Sequence, residues 1–137
     1  MISTKGRYAL RVMIDLAESD CNAYTPLKDI AIRQGISKKY LETIVKELVS
    51  AGMLSAASGK GGGYKLNRKP EEYAVGEIIE LMEGSLGTVA CLAKGAAPCP
   101  RVSDCKTLPL WEEYDQMVHD FFYSKYLSDL INKDSGK

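Results

Sequence analysis

Two short helical segments joined at Gly35 constrain the fold of this chain more than any other feature. Thr25 followed by a proline is typical of a helix start, so a short helix is predicted over residues 26–34, and Gly35 ends it. Ser37 is a cap residue for a further helix over residues 38–51. Two helices joined by so short a turn have the spacing of a helix-turn-helix.

An amphipathic helix is predicted before this pair, and a β-hairpin after it. Over residues 3–19 an apolar stripe recurs at three- and four-residue spacing. Its members are Leu10, Met13, Leu16 and Ala17. Two extended runs, 53–57 and 64–66, flank a glycine-rich tip at 58–63. A helix, a helix-turn-helix and a hairpin in this order predict a winged helix domain.

Three more helices are predicted, over residues 75–83, 108–124 and 127–131. The long helix has a wide apolar stripe formed by Leu110 or Trp111, Tyr114, Met117 or Val118, and Phe121. A small domain has little core to cover such a stripe, so we expect this helix to cross its symmetry mate in a homodimer. The alternative is that it packs wholly within its own chain.

The expected fold class is therefore mainly α with a small β-hairpin wing, that is, a winged helix-turn-helix followed by a long dimerisation helix. The chain divides into a DNA-binding domain at 1–83, a cysteine-bearing loop at 84–107 and a dimerisation segment at 108–137. With 137 residues there is room for one or two compact units, but not for a large enzyme.

The formal net charge of zero conceals an uneven distribution along the chain. Residues 1–69 contain twelve Lys or Arg and six Asp or Glu, whereas residues 70–137 contain six and twelve. The first half therefore suits a polyanionic partner, although uneven charge by itself is common. The N-terminus does not resemble a signal peptide and no run of eighteen apolar residues occurs, so we expect a cytoplasmic protein with no membrane association.

The outward side of the second helix of the helix-turn-helix carries polar and charged residues that suit groove binding. They are Lys38, Lys39, Glu42, Thr43 and Lys46. Lysines neutralise phosphates or approach guanine, and a glutamate accepts from a cytosine amino group. Lys60 adds a charge at the hairpin tip. The alternatives are a merely solvated helix face and a nucleotide-binding loop, but the tip glycines do not precede a helix, which excludes the latter.

Three of the four cysteines lie close together, and seven and then five residues separate Cys91, Cys99 and Cys105. Thiolates bind iron-sulfur clusters, and a flexible loop can bring three of them to one cluster. The spacing alone also allows zinc or three unligated thiols. Cys21 has no neighbour in sequence and is interpreted as a structural or incidental thiol.

Four motifs, STKGRYAL, GISKKYLE, GKGGGY and VGEIIELMEG, strongly resemble the winged helix repressor family that includes the iron-sulfur cluster regulator IscR, the nitric oxide sensor NsrR and the cysteine metabolism repressor CymR. The resemblance implies a homodimer on a pseudo-palindromic double-stranded DNA operator, with residues 37–46 in the major groove and the wing in the minor groove. The candidate DNA-binding residues are Arg7, Thr25, Ser37, Lys38, Lys39, Tyr40, Glu42, Thr43, Lys46, Ser58, Lys60 and Gly62.

The same resemblance implies a [2Fe-2S] or [4Fe-4S] cluster on Cys91, Cys99 and Cys105, which the isolated protein can lose. The sequence departs from the family pattern at four places. Cluster-bearing relatives usually have five residues between successive cysteines of this loop, whereas seven separate Cys91 from Cys99. Relatives similar to IscR have a histidine at the position of Leu108, some nitric oxide sensors use an acidic residue near the position of Tyr8, and cluster-bearing relatives often have arginine at the position of Ser58. The fourth ligand is thus unidentified, and Asp104 or an external ligand are candidates. His119 is interpreted as a surface or interface residue.

We therefore expect a transcription repressor, not an enzyme, whose operator affinity depends on an iron-sulfur cluster that senses iron-sulfur status, oxygen or nitric oxide. The alternative is a cluster-free repressor of the CymR type, controlled by a partner protein or by thiol oxidation. A small electron-transfer protein or thiol enzyme is disfavoured, because no cysteine has a nearby histidine or acidic partner in a nucleophile arrangement and the basic first half would serve no purpose.

Overall fold

A computed structural model describes residues 2–19, 22–87 and 103–131 of the chain. Its helices and strands are α1 (Thr4–Ala17), α2 (Leu27–Gln34), α3 (Lys38–Ser50), β1 (Leu54–Ala57), β2 (Gly63–Leu66), α4 (Val75–Glu83), α5 (Leu108–Ser124) and α6 (Leu127–Ile131). A short 3₁₀ turn, Pro70–Glu72, precedes α4. The predicted fold class, mainly α with a two-stranded hairpin, is confirmed. None of the helices described is both long and apolar enough to span a membrane.

The buried face of α1 is wider than the predicted stripe and is rotated relative to it, although the two share Met13 and Leu16. Its buried apolar residues are Ala9, Val12, Met13 and Leu16. Two predicted members, Leu10 and Ala17, lie only at the edge of the core and remain half-buried. The reason is that α1 is central and contacts α2, α3, α4 and α6, so that one stripe cannot serve all of them.

The start of α2 differs from the prediction, because Thr25 is not its cap. Pro26 occupies the cap position and makes no side-chain cap hydrogen bond. Thr25 instead pairs with Tyr64 of β2: each backbone N–H donates to the other residue's carbonyl oxygen, and both N···O distances are 2.9 Å. The wing therefore folds back onto the residue that precedes α2.

The predictions for α3 and the hairpin are confirmed. The Ser37 hydroxyl accepts a hydrogen bond from the backbone N–H of Tyr40 at 3.0 Å and so caps α3. The inner face of α3 is fully buried and consists of Leu41, Ile44, Val45 and Leu48. β1 and β2 pair in antiparallel fashion, with Leu54 opposite Leu66.

α5 has no buried residue, although its stripe is strongly apolar. Leu110, Met117 and Phe121 are 56%, 63% and 56% exposed, and Tyr114 is also exposed. Most of the stripe is therefore not covered by its own chain among the residues that the structure describes. The segment after α5 is fixed to the domain by backbone hydrogen bonds, from Val75 N–H to the Lys125 carbonyl at 2.8 Å and from Leu127 N–H to the Tyr73 carbonyl at 2.9 Å.

Candidate nucleic-acid interface

The outward face of α3 presents a mainly cationic surface with one carboxylate. Its exposed residues are Ser37, Lys38, Lys39, Glu42, Thr43 and Lys46. Tyr40 is half-buried, since its ring lies 5.6 Å from that of Tyr8 in an edge-to-face arrangement. Because the opposite face of α3 is fully buried, the charged side chains can only project outward. This is the arrangement that entry into a DNA groove requires.

The wing tip is exposed at Ser58 and Lys60. Two of its glycines are required by close approaches within the chain itself. A Cβ on Gly62 would lie 2.3 Å from the Ala57 carbonyl oxygen, and one on Gly63 would lie 2.1 Å from the Thr25 carbonyl oxygen. The glycines therefore allow the tight turn and the docking of the wing against α2, whatever contact the tip makes with phosphate.

A cleft of about 550 Å³ separates the wing from the starts of α2 and α3. Lys28 and Lys38 line it from the helices, and Ser58 and Gly62 line it from the wing. Pro26 and Leu27 at the start of α2 also line the cleft, and α2 has no side-chain cap hydrogen bond. Lys28 was absent from the predicted set, although the helix-turn-helix places the starts of both helices on this cleft.

Arg7 is the predicted contact on α1, and the structure leaves it exposed. Its guanidinium donates to the Thr4 hydroxyl at 3.2 Å. The neighbouring Lys5 forms an ion pair with Glu47 of α3, with a distance of 2.7 Å between the nitrogen and the carboxylate oxygen. The first turn of α1 thus lies beside α3, and Arg7 adds positive charge to the exposed surface there.

A polar cluster around the buried Asp15 connects α2 to α1, and no pattern in the sequence predicted it. The Asp15 carboxylate is buried and accepts two hydrogen bonds from the Arg33 guanidinium, at 2.7 and 3.0 Å, and one from the Gln34 amide at 2.9 Å. The hydrogen bond to Asp15 raises the pKa of Arg33, so its charge is secure. Arg11 in turn donates to the Gln34 side chain at 3.1 Å. The helix-turn-helix is therefore held at a fixed angle by charge-assisted contacts.

Comparison with known proteins agrees with this geometry. The family model described as Rrf2, iron-dependent transcriptional regulator, matches residues 2–133. The chain belongs to the Rrf2 family. It is 36% identical over 131 residues to the HTH-type transcriptional regulator IscR of Klebsiella pneumoniae (strain 342), and the match covers 96% of this chain and 79% of that relative.

Two solved structures of Rrf2-like regulators are similar along nearly the whole chain. CymR (YrzC), the global cysteine regulator of B. subtilis, aligns with a TM-score of 0.78 and 34% identity over 97% of both chains. T. potens IscR aligns with a TM-score of 0.74 and 30% identity, over 98% of this chain and 88% of that one. The resemblance inferred from the four motifs is confirmed, as is the prediction of a DNA-binding transcriptional regulator in place of an enzyme.

In this Rrf2 regulator the cysteine site is described only at one end. Cys91 and Cys99, like Cys21, lie outside the described residues. Cys105 is half-buried just before α5, and its Sγ atom lies 3.5 Å from the Thr107 hydroxyl. Among the residues that the structure describes, no three His, Cys, Asp or Glu side chains are placed to hold a metal ion.

The positions where a fourth ligand was considered are now placed. Leu108 begins α5 and is half-buried, and Tyr8 is half-buried with the Arg11 guanidinium 5.3 Å above its ring. Asp104 is exposed beside Cys105. His119 is exposed on α5, as expected, and its ring stacks on Tyr123 with 4.4 Å between centroids. The geometry singles out none of these four as a ligand.

Proposed function

We propose that this Rrf2 regulator is a homodimeric, cytoplasmic transcription repressor that binds a pseudo-palindromic operator. α3 enters the major groove, where Lys38, Lys39 and Lys46 contact phosphates or guanine and Glu42 accepts from a cytosine amino group. The wing, with Lys60 at its tip, contacts the minor groove. The remaining predicted contacts, Arg7, Thr25, Ser37, Tyr40, Thr43, Ser58 and Gly62, line the same surface or support it.

The observation that carries this proposal is the pairing of two exposed surfaces with opposite chemistry. The cationic face of α3 lies on a domain with a closed core, and the uncovered apolar stripe lies on α5. A DNA duplex would neutralise the cationic face of α3, and a second copy of α5 would cover the apolar stripe. In this scheme residues 1–83 bind DNA, residues 84–107 carry the cysteines and residues 108–137 dimerise.

We further propose that Cys91, Cys99 and Cys105 hold an iron-sulfur cluster that controls operator affinity. The donor set fits, because three thiols supply the soft ligands that such clusters require, and Cys105 is accessible at the start of α5. A bound cluster would supply a redox- and iron-sensitive group beside the dimerisation helix. The iron-dependent description of the family and the IscR relatives support this assignment.

A second candidate is a cluster-free repressor of the CymR type, controlled by thiol oxidation or by a partner protein. It is favoured by the similarity to CymR structures, including an oxidized form of Staphylococcus aureus CymR with 34% identity and a TM-score of 0.72. The apolar Leu108 at the start of α5 also favours it, because that side chain cannot replace a histidine ligand.

Dimerisation is tested with two variants, each of which places one carboxylate on a different side of α5. Phe121→Glu puts a carboxylate into the apolar stripe, and Gln116→Glu puts the same group on the exposed polar side. Sedimentation should show a monomer for the first variant and a dimer for the second. The Phe121 variant should also lose about 100-fold or more in operator affinity, because it can engage only one half-site at a time. A dimeric Phe121→Glu protein would refute the assignment of α5.

The cluster is tested by anaerobic purification with an iron count and a visible spectrum. Iron and visible absorbance should be present in the wild type and in the control Cys21→Ala, and absent when Cys91, Cys99 and Cys105 are all replaced by alanine. A colourless, iron-free wild type that nevertheless binds its operator would favour the second candidate. Binding that shows no preference for any duplex over random DNA would refute the regulator proposal as a whole.

A further inference from the structure

Tyr123, in the last turn of α5, packs on α4 of the winged domain. The Tyr123 ring lies so close to Gly76 that a Cβ there would be 2.3 Å from the ring carbon Cδ2. The Tyr123 hydroxyl donates a hydrogen bond of 2.5 Å to the Glu80 carboxylate, one turn further along α4. The ring is therefore fixed at its edge by a glycine and at its tip by a charge-assisted hydrogen bond.

A second fixed point follows directly in the chain. The residue pair Ala74 and Tyr126 forms an isolated antiparallel bridge, next to the hydrogen bond from Val75 N–H to the Lys125 carbonyl. These backbone contacts hold the end of the helix at one point. The Tyr123 side chain, one turn away from the bridge, adds a second point of attachment, and two points along a helix constrain its direction.

The length of α5 makes this direction important for DNA binding. From Tyr123 to Leu110, at the far end of the apolar stripe, the helix spans about 20 Å. A tilt of roughly 10° at the joint would move that end by about 3.4 Å, which is the rise of one base pair. In a two-fold dimer, the angle between each α5 and its winged domain sets the separation of the two recognition helices.

We propose that Tyr123 is a positioning residue that fixes the angle between α5 and the winged domain, and thereby the half-site spacing that the dimer accepts in its operator. The inference rests on the proposed homodimer. It concerns the discrimination between operators of different spacing, and not the affinity of α3 for a half-site. Burial and the hydrogen bond to Glu80 both raise the pKa of Tyr123, to about 12, so the hydroxyl remains a donor at neutral pH.

The test uses a duplex selected from random sequence with the full-length wild-type protein, and derivatives whose two half-sites are one base pair closer or further apart. The affinity ratio between the selected spacing and the altered spacings is measured for wild type and Tyr123→Phe. The Phe variant keeps the ring but removes the hydrogen bond, so the ratio should fall by about threefold or more. The affinity for a single half-site should not change.

Three further variants separate positioning from stability. Glu80→Gln keeps an acceptor oxygen and should retain the wild-type ratio, whereas Glu80→Leu should behave like Tyr123→Phe. Tyr126→Phe, which removes a hydroxyl from an exposed ring, should also retain it. Equal spacing ratios in wild type and Tyr123→Phe would overturn the inference about Tyr123 but leave the proposed dimer intact. A wild type that binds one half-site as tightly as two would refute the dimeric mode, and the Tyr123 inference with it.

Discussion

α3 and α5 are both amphipathic helices with apolar residues three and four positions apart, yet they use their apolar faces differently. α3 buries Leu41, Ile44, Val45 and Leu48 completely, whereas no residue of α5 is fully buried. Their other faces also differ, because α3 exposes mainly lysines and α5 exposes acidic residues such as Glu112 and Glu113. An apolar stripe thus predicts which face of a helix packs against other residues. Whether those residues belong to the core of the same chain or to another chain depends on the rest of the fold.

The largest expected difference between the two helices concerns folding stability. In the Phe121→Glu background, which removes any contribution from dimerisation, Leu41→Ala should lower the free energy of unfolding by about 3 kcal/mol, because it leaves a cavity in a packed core. Met117→Ala should change it by less than about 0.5 kcal/mol, since its side chain is exposed. Urea denaturation measures both values. A comparable loss in the two variants would show that α5 belongs to the core of its own chain.

In the winged helix domain, glycine substitutions should destabilise the fold more at the base of the wing than at its tip. Gly63→Ala combines a φ of +139° with a clash against the Thr25 carbonyl, and should cost about 2–3 kcal/mol. Gly61→Ala has a φ of +79° but open space, and should cost about 1 kcal/mol. Thermal unfolding of the two variants provides the comparison. Equal costs would mean that the wing is not docked on Thr25.

The outer face of α3 should divide into a residue that specifies sequence and residues that only position the protein. Glu42→Ala should change the preferred base pair at one operator position by about tenfold. Lys60→Ala, on the wing, should weaken binding to all duplexes alike and lower the slope of log affinity against log salt by about one. Competition binding with single-base operator variants, repeated over a salt series, distinguishes the two effects. A uniform loss in Glu42→Ala would contradict its specific role.

The smallest expected effect is a change in thermal stability at high pH. It concerns Tyr123, where α5 meets the winged domain. The folded pKa of Tyr123 is about 12, above its ordinary value of 10.0. Its contribution to stability is therefore fully present below pH 10 and is lost as the pH rises from 10 through 12. Melting temperatures over this range should fall more steeply for wild type than for Tyr123→Phe. Parallel curves would show that the Tyr123 hydroxyl is not held by Glu80.

The element order and most helix boundaries could be predicted from the sequence, because apolar spacing and cap residues are local signals. Ser37 capped its helix as predicted, and Gly84 ends α4 with a positive φ. The prediction of Thr25 as a helix cap was wrong, because a backbone pairing with Tyr64, a residue 39 positions away, overrides its cap signal. The buried face of α1 was similarly misjudged, because it depends on how many neighbours surround the helix.

The candidate site was predicted less completely than the fold. The lysines of α3 followed from helical spacing within one helix, but Lys28 lies on α2 and shares the cleft with Lys38 only through the packing of one helix against the other. The cluster around Asp15 is likewise invisible in the sequence, because its partners Arg33 and Gln34 come from another helix. The assignment of Cys91, Cys99 and Cys105 depends on thiol chemistry and family resemblance, and remains a proposal.

The pairing of Thr25 with Tyr64 has a mechanical consequence for the wing and the helix-turn-helix together. The second wing strand is hydrogen-bonded to Thr25, which leads into α2, and α2 is bound to α1 through Asp15, so hydrogen bonds connect the wing to both helices. In the proposed binding mode, a duplex with a different groove spacing would not be accommodated by moving β2 alone. The groove spacing of the DNA would then contribute to operator recognition alongside the base contacts.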